Sequence, residues 1–300
     1  MKKILFLLAF TLLLVPSCGK LGKDGRIRKE IDWSQWYNDD ENADDGKPSV
    51  MIMSSNVRYG TASETLEENN WVNRRYAYYA MVNTMQPALM GVQECQNSQR
   101  NDILNNCPAY GCVGRSRDNS SNGEQVAIFY RKDLVSISDW GTFWLTETPN
   151  TVSKHPAAGH YRCATWAKVL HIQTGKEFYH INTHLDLTDV RGFEMDVIMS
   201  FIGSNCGDYP VVMTADWNTT DDDSIFDEMY QSFVNARNTA VTGDAYGTFN
   251  GFSNANSSTR IDHVFYRGFS SCAKFITVRQ SWEGHKFISD HYPVYAILKF

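Results

Sequence analysis

Several absences narrow what this 300-residue chain is. No apolar run reaches the roughly 18 residues that a membrane-spanning helix needs, and the one at residues 4–15, "ILFLLAFTLLLV", is too short to cross a bilayer comfortably. No run of lysine and arginine follows the chain either: 28 basic residues stand against 34 acidic ones, net −6 with histidine neutral. Strong non-specific duplex binding depends on many such contacts to phosphates, so the composition argues against a protein that tracks a nucleic-acid backbone. It leaves room for a small phosphorylated ligand in a local basic pocket. Finally, no cysteine spacing matches a zinc site. Of the seven cysteines, Cys107 and Cys112 bracket the turn-rich "PAYG" and are the pair expected to bridge in an exported protein. Cys95, Cys163, Cys206 and Cys272 sit among apolar neighbours, where cysteine behaves as a small hydrophobe. There is also no strong internal repeat and no break that would divide the chain after Val50 into two domains.

What is present starts with an address. Lys2 and Lys3 before the short apolar run give residues 1–17 the form of an export signal. The "VPSC" that follows resembles a bacterial lipobox, with Pro16 departing from the pattern, and that resemblance makes Cys18 the lipidated first residue of an exported, membrane-anchored lipoprotein facing the periplasm or the cell surface. The alternative is an ordinary secretory signal with an incidental cysteine. Without residues 1–17, which hold two lysines and no acid, 26 basic residues face 34 acidic ones, net −8. Residues 18–47, ending "NDDENADDGKP", are charged and turn-rich and read as a tether. Their aromatics Trp33, Trp36 and Tyr37 either pack back on the domain or touch a ligand. Residues 48–300 then form one domain, expected as a monomer.

With 42% hydrophobic and 21% charged residues, that domain can build a large α/β core. Short apolar runs alternate with helical stretches. "VMIMSSNV", "ALMGVQE", "VAIFYRK", "RCATWAKVLHI", "KEFYHINTH", "PVVMTADWN", "RIDHVFYR", "AKFITV" and "YPVYAILKF" read as strands. "WVNRRYAYYAMVNTM", closed by Pro87, and "DVRGFEMDVIMSFIG" carry helical spacing. The informative feature is where polar residues interrupt the strands. Asn56, Glu94, His184, Asp216 with Asn218, Asp262, and Asp290 with His291 all stand at the end of, or inside, apolar runs. One buried polar residue is ordinarily a satisfied core hydrogen bond; one on nearly every strand indicates convergence on a single site.

In order, "SSNVRYG", "GVQE", "RCATW", "NTHLD", "TADWN", "RIDHVF" and "SDHYPV" closely resemble the endonuclease/exonuclease/phosphatase superfamily of DNase I-like enzymes, from about Val50 to Phe300. Ala215, Trp217 and His263 depart from the commonest residues without removing a chemical group. The resemblance implies a four-layer α/β sandwich, two mainly antiparallel sheets face to face with helices outside. It also implies a Mg²⁺-dependent phosphoesterase site, with Mn²⁺ as an alternative. It places the metal on Glu94 with support from Asn56, pairs Asp262 with His291 for work on the attacking water or the phosphate, and puts Arg162 on the phosphate.

The residues can also be read alone. Alternate residues of a strand share a face, so Asp216 and Asn218 are expected to project together, as are Asn182, His184 and Asp186. Asn218 offers an amide donor to a phosphate oxygen, and Asp216 accepts a proton from an attacking water. Asp290 and His291 face opposite ways, so Asp290 is expected to face the metal or His184 while an acid from another strand orients His291. His180 and His184 span about 13 Å along a strand, too far to share one zinc ion. Tyr130, ending "VAIFY", either bonds the phosphate region or is packed. His155 and His160 either meet the leaving group or are plain loop residues. Arg58, Arg115, Arg117 and Arg260 are helper candidates, and Phe143 and Trp144 are candidates to cover an organic group.

The expected function is hydrolysis of a phosphodiester or phosphomonoester by in-line attack of water, with a small phosphorylated metabolite or lipid head group favoured over nucleic acid. The rivals are a nuclease of the same fold and a non-catalytic ligand-binding surface lipoprotein. The second is disfavoured because a binding protein has no need of Glu94, Asp216, Asn218, Asp262 and His291 together.

Overall fold

The protein is described by a computed structural model over residues 46–300, together with two short strands, β1 (Lys20–Leu21) and β2 (Ile27–Arg28), paired antiparallel within the segment expected to be a tether. Residues 1–17, Cys18, Trp33, Trp36 and Tyr37 lie outside the described residues. All later elements belong to one compact unit, Asn42–Phe300.

Two sheets are built from the strands that the apolar runs predict. The first contains β3 (Ser49–Asn56), β4 (Leu89–Gln96), β5 (Tyr110–Val113), β6 (Glu124–Arg131), β12 (Ala240–Gly243), β14 (Ser271–Thr277) and β15 (Val294–Lys299), in the order β12-β14-β15-β3-β4-β6-β5. The second contains β7 (Val135–Trp144), β8 (Cys163–His171), β9 (Lys176–His184), β10 (Val211–Asp216), β11 (Val234–Asn235) and β13 (Asp262–Arg267), in the order β11-β13-β10-β9-β8-β7. Among the described residues only β3–β4, β9–β10 and β12–β14 are parallel pairs. Helices α1 (Trp71–Met85) and α2 (Asn97–Asn106) follow β3 and β4, α3 (Arg191–Asn205) links β9 to β10, and α4 (Ala236–Thr239) is a single turn. This is the DNase I-like four-layer sandwich.

Strand alternation explains the layers. On β3, Ile52 enters the core between the sheets, while Ser55 accepts a hydrogen bond from the Tyr78 hydroxyl of α1 at 3.1 Å. On β10, Val212 lies in that core, while Met213 packs with Ile198 and Ile202 of α3. The sheets approach closely at Gly91 of β4, where an added Cβ would lie 1.9 Å from Thr214 Oγ1 and 2.5 Å from Asn182 Oδ1. Only glycine admits that approach.

The Cys107–Cys112 bridge is not formed, and all six described cysteines are free thiols. Cys107 closes α2, its N–H bonded to Ile103 O, while Cys112 is paired into β5 opposite Phe129 with Arg100 beside its sulfur. Helix end and strand hold the two residues in separate elements, and burial pushes both thiols up to about 12.

Candidate active site

Strand direction assembles the site. β3, β4, β9 and β10 run toward one edge of the sandwich and deliver Asn56, Glu94, His184 and Asp216 there. Their antiparallel neighbours begin at the same edge: Asp262 opens β13 directly opposite Asp216, His291 precedes β15, Arg162 precedes β8, and Glu124 opens β6. Together they line an open cleft of about 770 Å³, with Asn56 and Asp262 just beneath its floor.

Its centre is a group of buried acids and imidazoles. His291 Nδ1 is 2.8 Å from Asp262 Oδ2, and His291 Nε2 is 3.6 Å from Asp216 Oδ2. Burial opposes charge on this imidazole, but Asp262 and Asp216 outweigh it and raise His291 well above the ordinary histidine range. Asp216, buried and repelled by Asp262, is raised to about 7 even with His291 and the Asn56 amide favouring its charge. His184 Nε2 is 3.3 Å from the same Asp216 oxygen, yet burial, with Arg162 and Arg117 nearby, pushes its pKa far down, so it is neutral. Two histidines about one carboxylate therefore differ in charge.

Asn56 ties the two sheets together here. Its Nδ2 donates to Glu94 Oε1 at 3.0 Å and to Asp216 Oδ2 at 2.9 Å, while its Oδ1 accepts the Arg58 N–H at 2.9 Å. Glu94 reaches this point because its backbone turns left-handed (φ 58°) at the bulge between Val92 and Cys95, and Glu94 Oε2 accepts the Tyr59 N–H at 3.0 Å. Asp290 accepts from the Ser289 hydroxyl at 3.1 Å and lies 3.6 Å from Arg58 Nε; burial, with Glu94 near, raises its pKa.

Arg162 is nearly buried, held by Asp186 at 3.4 Å through Nε, and its Nη1 has no partner within the described residues. Asp186 also accepts the N–H groups of Gly159, His160 and Thr188 at 3.1–3.2 Å, and these bonds hold its carboxyl well below the usual range although burial opposes them. Below it Glu194 of α3 accepts the Asp186 N–H at 2.8 Å and is pushed up to about 7 by burial.

Comparison with known proteins agrees with this fold. The sequence profile of the Endonuclease/Exonuclease/phosphatase family matches residues 53–291. The chain belongs to that family. A solved family structure from Bacteroides vulgatus is 29% identical with a TM-score of 0.78, covering 85% of this chain and 100% of that one. A mannosyl-6-phosphatase from Bacteroides thetaiotaomicron is 28% identical with a TM-score of 0.77, covering 84% and 100%. An uncharacterised protein of Acanthamoeba polyphaga mimivirus is 22% identical over 269 residues, 83% of this chain and 100% of that protein.

The endonuclease/exonuclease/phosphatase family is hydrolytic and typically depends on a divalent cation. The donor set fits one. Glu94, His184 and Asp216 each offer an atom within 4.8 Å of the others, and the two carboxylates, oriented by one amide, supply the hard oxygens that such ions take.

Several expected positions are corrected. Asn56 directs its amide nitrogen, not its oxygen, at the carboxylates, and its oxygen accepts the Arg58 N–H. Asn218 does not continue the β10 alternation: the strand ends at Asp216, Asn218 is left-handed (φ 53°), and one of its amide hydrogens goes to Leu185 O. Asn182 lies under the site, bonded to Gln93, Thr214, Val92 O and Ala127 O. Tyr130 is at the far end of the sheet, opposite Leu89, because β6 runs against β4 and brings its first residue, Glu124, to the cleft. Phe143 stacks on Phe201 and Trp144 bonds Arg117 O, so neither covers the cleft; Phe249 does, its ring centroid 5.0 Å from that of His291. His160 lines the cleft, while His155 pairs with Glu147 and packs on Phe193. Arg58 and Arg117 line it too, and Arg115 lies over Trp140 instead. Sequence reasoning missed Glu124, Glu64 and Phe249; the first was readable as a charge opening an apolar strand.

Proposed function

We propose that the protein is a divalent-cation-dependent phosphoesterase that hydrolyses a small phosphorylated substrate by in-line attack of water, with Mg²⁺ as the cation and Mn²⁺ as the alternative. The observation that carries this reading is the arrangement around Asp216: a cationic His291 oriented by Asp262, a neutral His184, and Glu94 joined through Asn56. Asp216 is suited to orient the attacking water and accept its proton. His291 and the Arg162 guanidinium, both lining the cleft, offer positive charge to phosphoryl oxygens, and the second amide hydrogen of Asn218 offers another bond. Glu94, with Asp216 and His184 beside it, would hold the cation; Asp290 lines the same cleft but faces Arg58. When bound, that ion supplies charge neutralisation at the phosphoryl group.

Small size is supported by charge. Each arginine at the cleft already has a carboxylate partner, Arg58 with Glu64, Arg117 with Glu124 and Arg162 with Asp186. Such a surface offers no rail for successive phosphates. The likeness to a mannosyl-6-phosphatase supports a monoester in the same direction. Specificity constants for small monoesters, diesters and plasmid DNA, at low and moderate salt, test the reading. Small esters should be turned over best, and chelation or Glu94→Gln should abolish turnover. Full activity in excess chelator would overturn the mechanism, and plasmid cleavage that collapses as salt rises would show a nuclease. We further propose that Cys18 anchors the exported protein; a wild type that stays wholly out of the detergent phase would refute that.

A further inference from the structure

Two arginine–glutamate pairs flank the cleft, and the hydrolytic step uses neither. On one wall Arg117 Nη2 donates to Glu124 Oε1 at 2.7 Å; on the other Arg58 Nε donates to Glu64 Oε1 at 2.9 Å. All four side chains line the cleft and none is more than 29% exposed. The backbone fixes both walls: Arg117 N–H donates to Glu124 O at 2.9 Å, and Glu64 N–H donates to Asn70 Oδ1 at 3.0 Å. Both pairs also stand near Glu94.

Arg117 with Glu124 is neutral as a unit, and Arg58 stands between two carboxylates, Glu64 and Asp290, so neither wall attracts a second phosphate. What each presents is a row of N–H donors beside carboxylate acceptors. A phosphate or a carboxylate would be repelled by half of that row, and an apolar group would leave it unpaired. A hydroxyl, donor and acceptor at once, matches it, and adjacent hydroxyls match both members. Two aromatic rings also line the cleft: Tyr59, with the Arg58 guanidinium 4.8 Å over it, and Phe249, 37% exposed and 5.0 Å from the His291 ring, which offers an apolar face to a ring bearing those hydroxyls.

We propose that the alcohol half of the substrate is a compact polyhydroxylated ring, so that the ester is a polyol monophosphate, with Glu124–Arg117 and Glu64–Arg58 as the specificity-determining pairs. This rests on the phosphoesterase reading above. The full chain with Mg²⁺ should show a kcat/KM for glucose 6-phosphate or mannose 6-phosphate about tenfold or more above that for phenyl phosphate, although phenolate is the better leaving group. Glu124→Gln and Glu64→Gln should each cut that ratio about tenfold, through KM for the sugar ester. Calorimetric titration of the slow Asp216→Asn variant with the same esters separates the two claims. Tighter binding of a hexose 6-phosphate without any hydrolysis by the wild type would support this proposal and sink the enzymatic reading. Equal binding of the hexose and phenyl esters, absent binding of both, or a ratio unmoved by both glutamate substitutions would overturn it.

Discussion

The two ends of the layer between the sheets contrast residue by residue along the same strands. The inward face of β9 reads Phe178, His180, Asn182, His184; that of β10 reads Val212, Thr214, Asp216; that of β4 reads Leu89, Gly91, Gln93; that of β3 reads Ile52, Ser54, Asn56. At one end the facing side chains are aliphatic and aromatic, each burial contributing about 1.5–3 kcal/mol. At the other they are buried acids, amides and imidazoles whose desolvation must be offset by hydrogen bonds. Between them, Gln93 Nε2 and Thr214 Oγ1 donate to Asn182 Oδ1 at 2.7 and 3.1 Å, and His180 meets Thr214 at 2.8 Å. The polar end is thus stitched across the sheets where the apolar end is simply packed. Stability and chemistry are separated along each strand, so substitutions at the two ends should fail in different ways.

The sharpest test of that separation is Asp216→Asn. Turnover should fall about 10²–10⁴-fold, the range for losing a positioned acid–base group. Stability at pH 8 should change by no more than about 1 kcal/mol, because the amide removes a buried charge that Asp262 repels. Steady-state kinetics and urea unfolding on one preparation check both, and a variant that lost stability in proportion to activity would break the contrast. The converse is Phe178→Ala at the apolar end, where the ring packs edge-on to Phe269 at 5.5 Å. It should lose about 3–5 kcal/mol of stability, while kcat per folded molecule stays at the wild-type value below the unfolding transition.

A smaller effect comes from Glu194, beneath Asp186. Its folded pKa of about 7 lies above that of an unfolded glutamate, so the folded state keeps a proton that the unfolded state releases between about pH 4.5 and 7. This contribution is fully present below about pH 4.5 and is lost as pH rises through 7. Relative to Glu194→Gln, whose side-chain oxygen still accepts the Asp186 N–H, the wild type should therefore lose about 2–3 kcal/mol between pH 5 and pH 8. Parallel stability–pH curves for the two proteins would place Glu194 among uncharged packing groups instead.

Much of the site was legible because inward strand positions that change from apolar to polar announce themselves at period two. Glu94, Asp216, Asp262 and His291 were each visible as a charge where a core would prefer none, and so were the strands that carry them. Tyr130 and Glu124 show the limit. Both flank one apolar run, and nothing in the run says which end meets the cleft, since that depends on β6 lying antiparallel to β4. The bond from Asp186 to Arg162 joins residues 24 apart, and the bond from Asn56 to Asp216 joins residues 160 apart on different sheets. The sequence by itself determined the strands, their two-residue alternation and the kinds of polar group at their ends, because these follow from local geometry and desolvation. Only the tertiary structure decided which acid holds which base, which amide faces which carboxylate and which end of each strand reaches the cleft. Those outcomes depend on strand direction and on contacts between the sheets, and no local pattern encodes either.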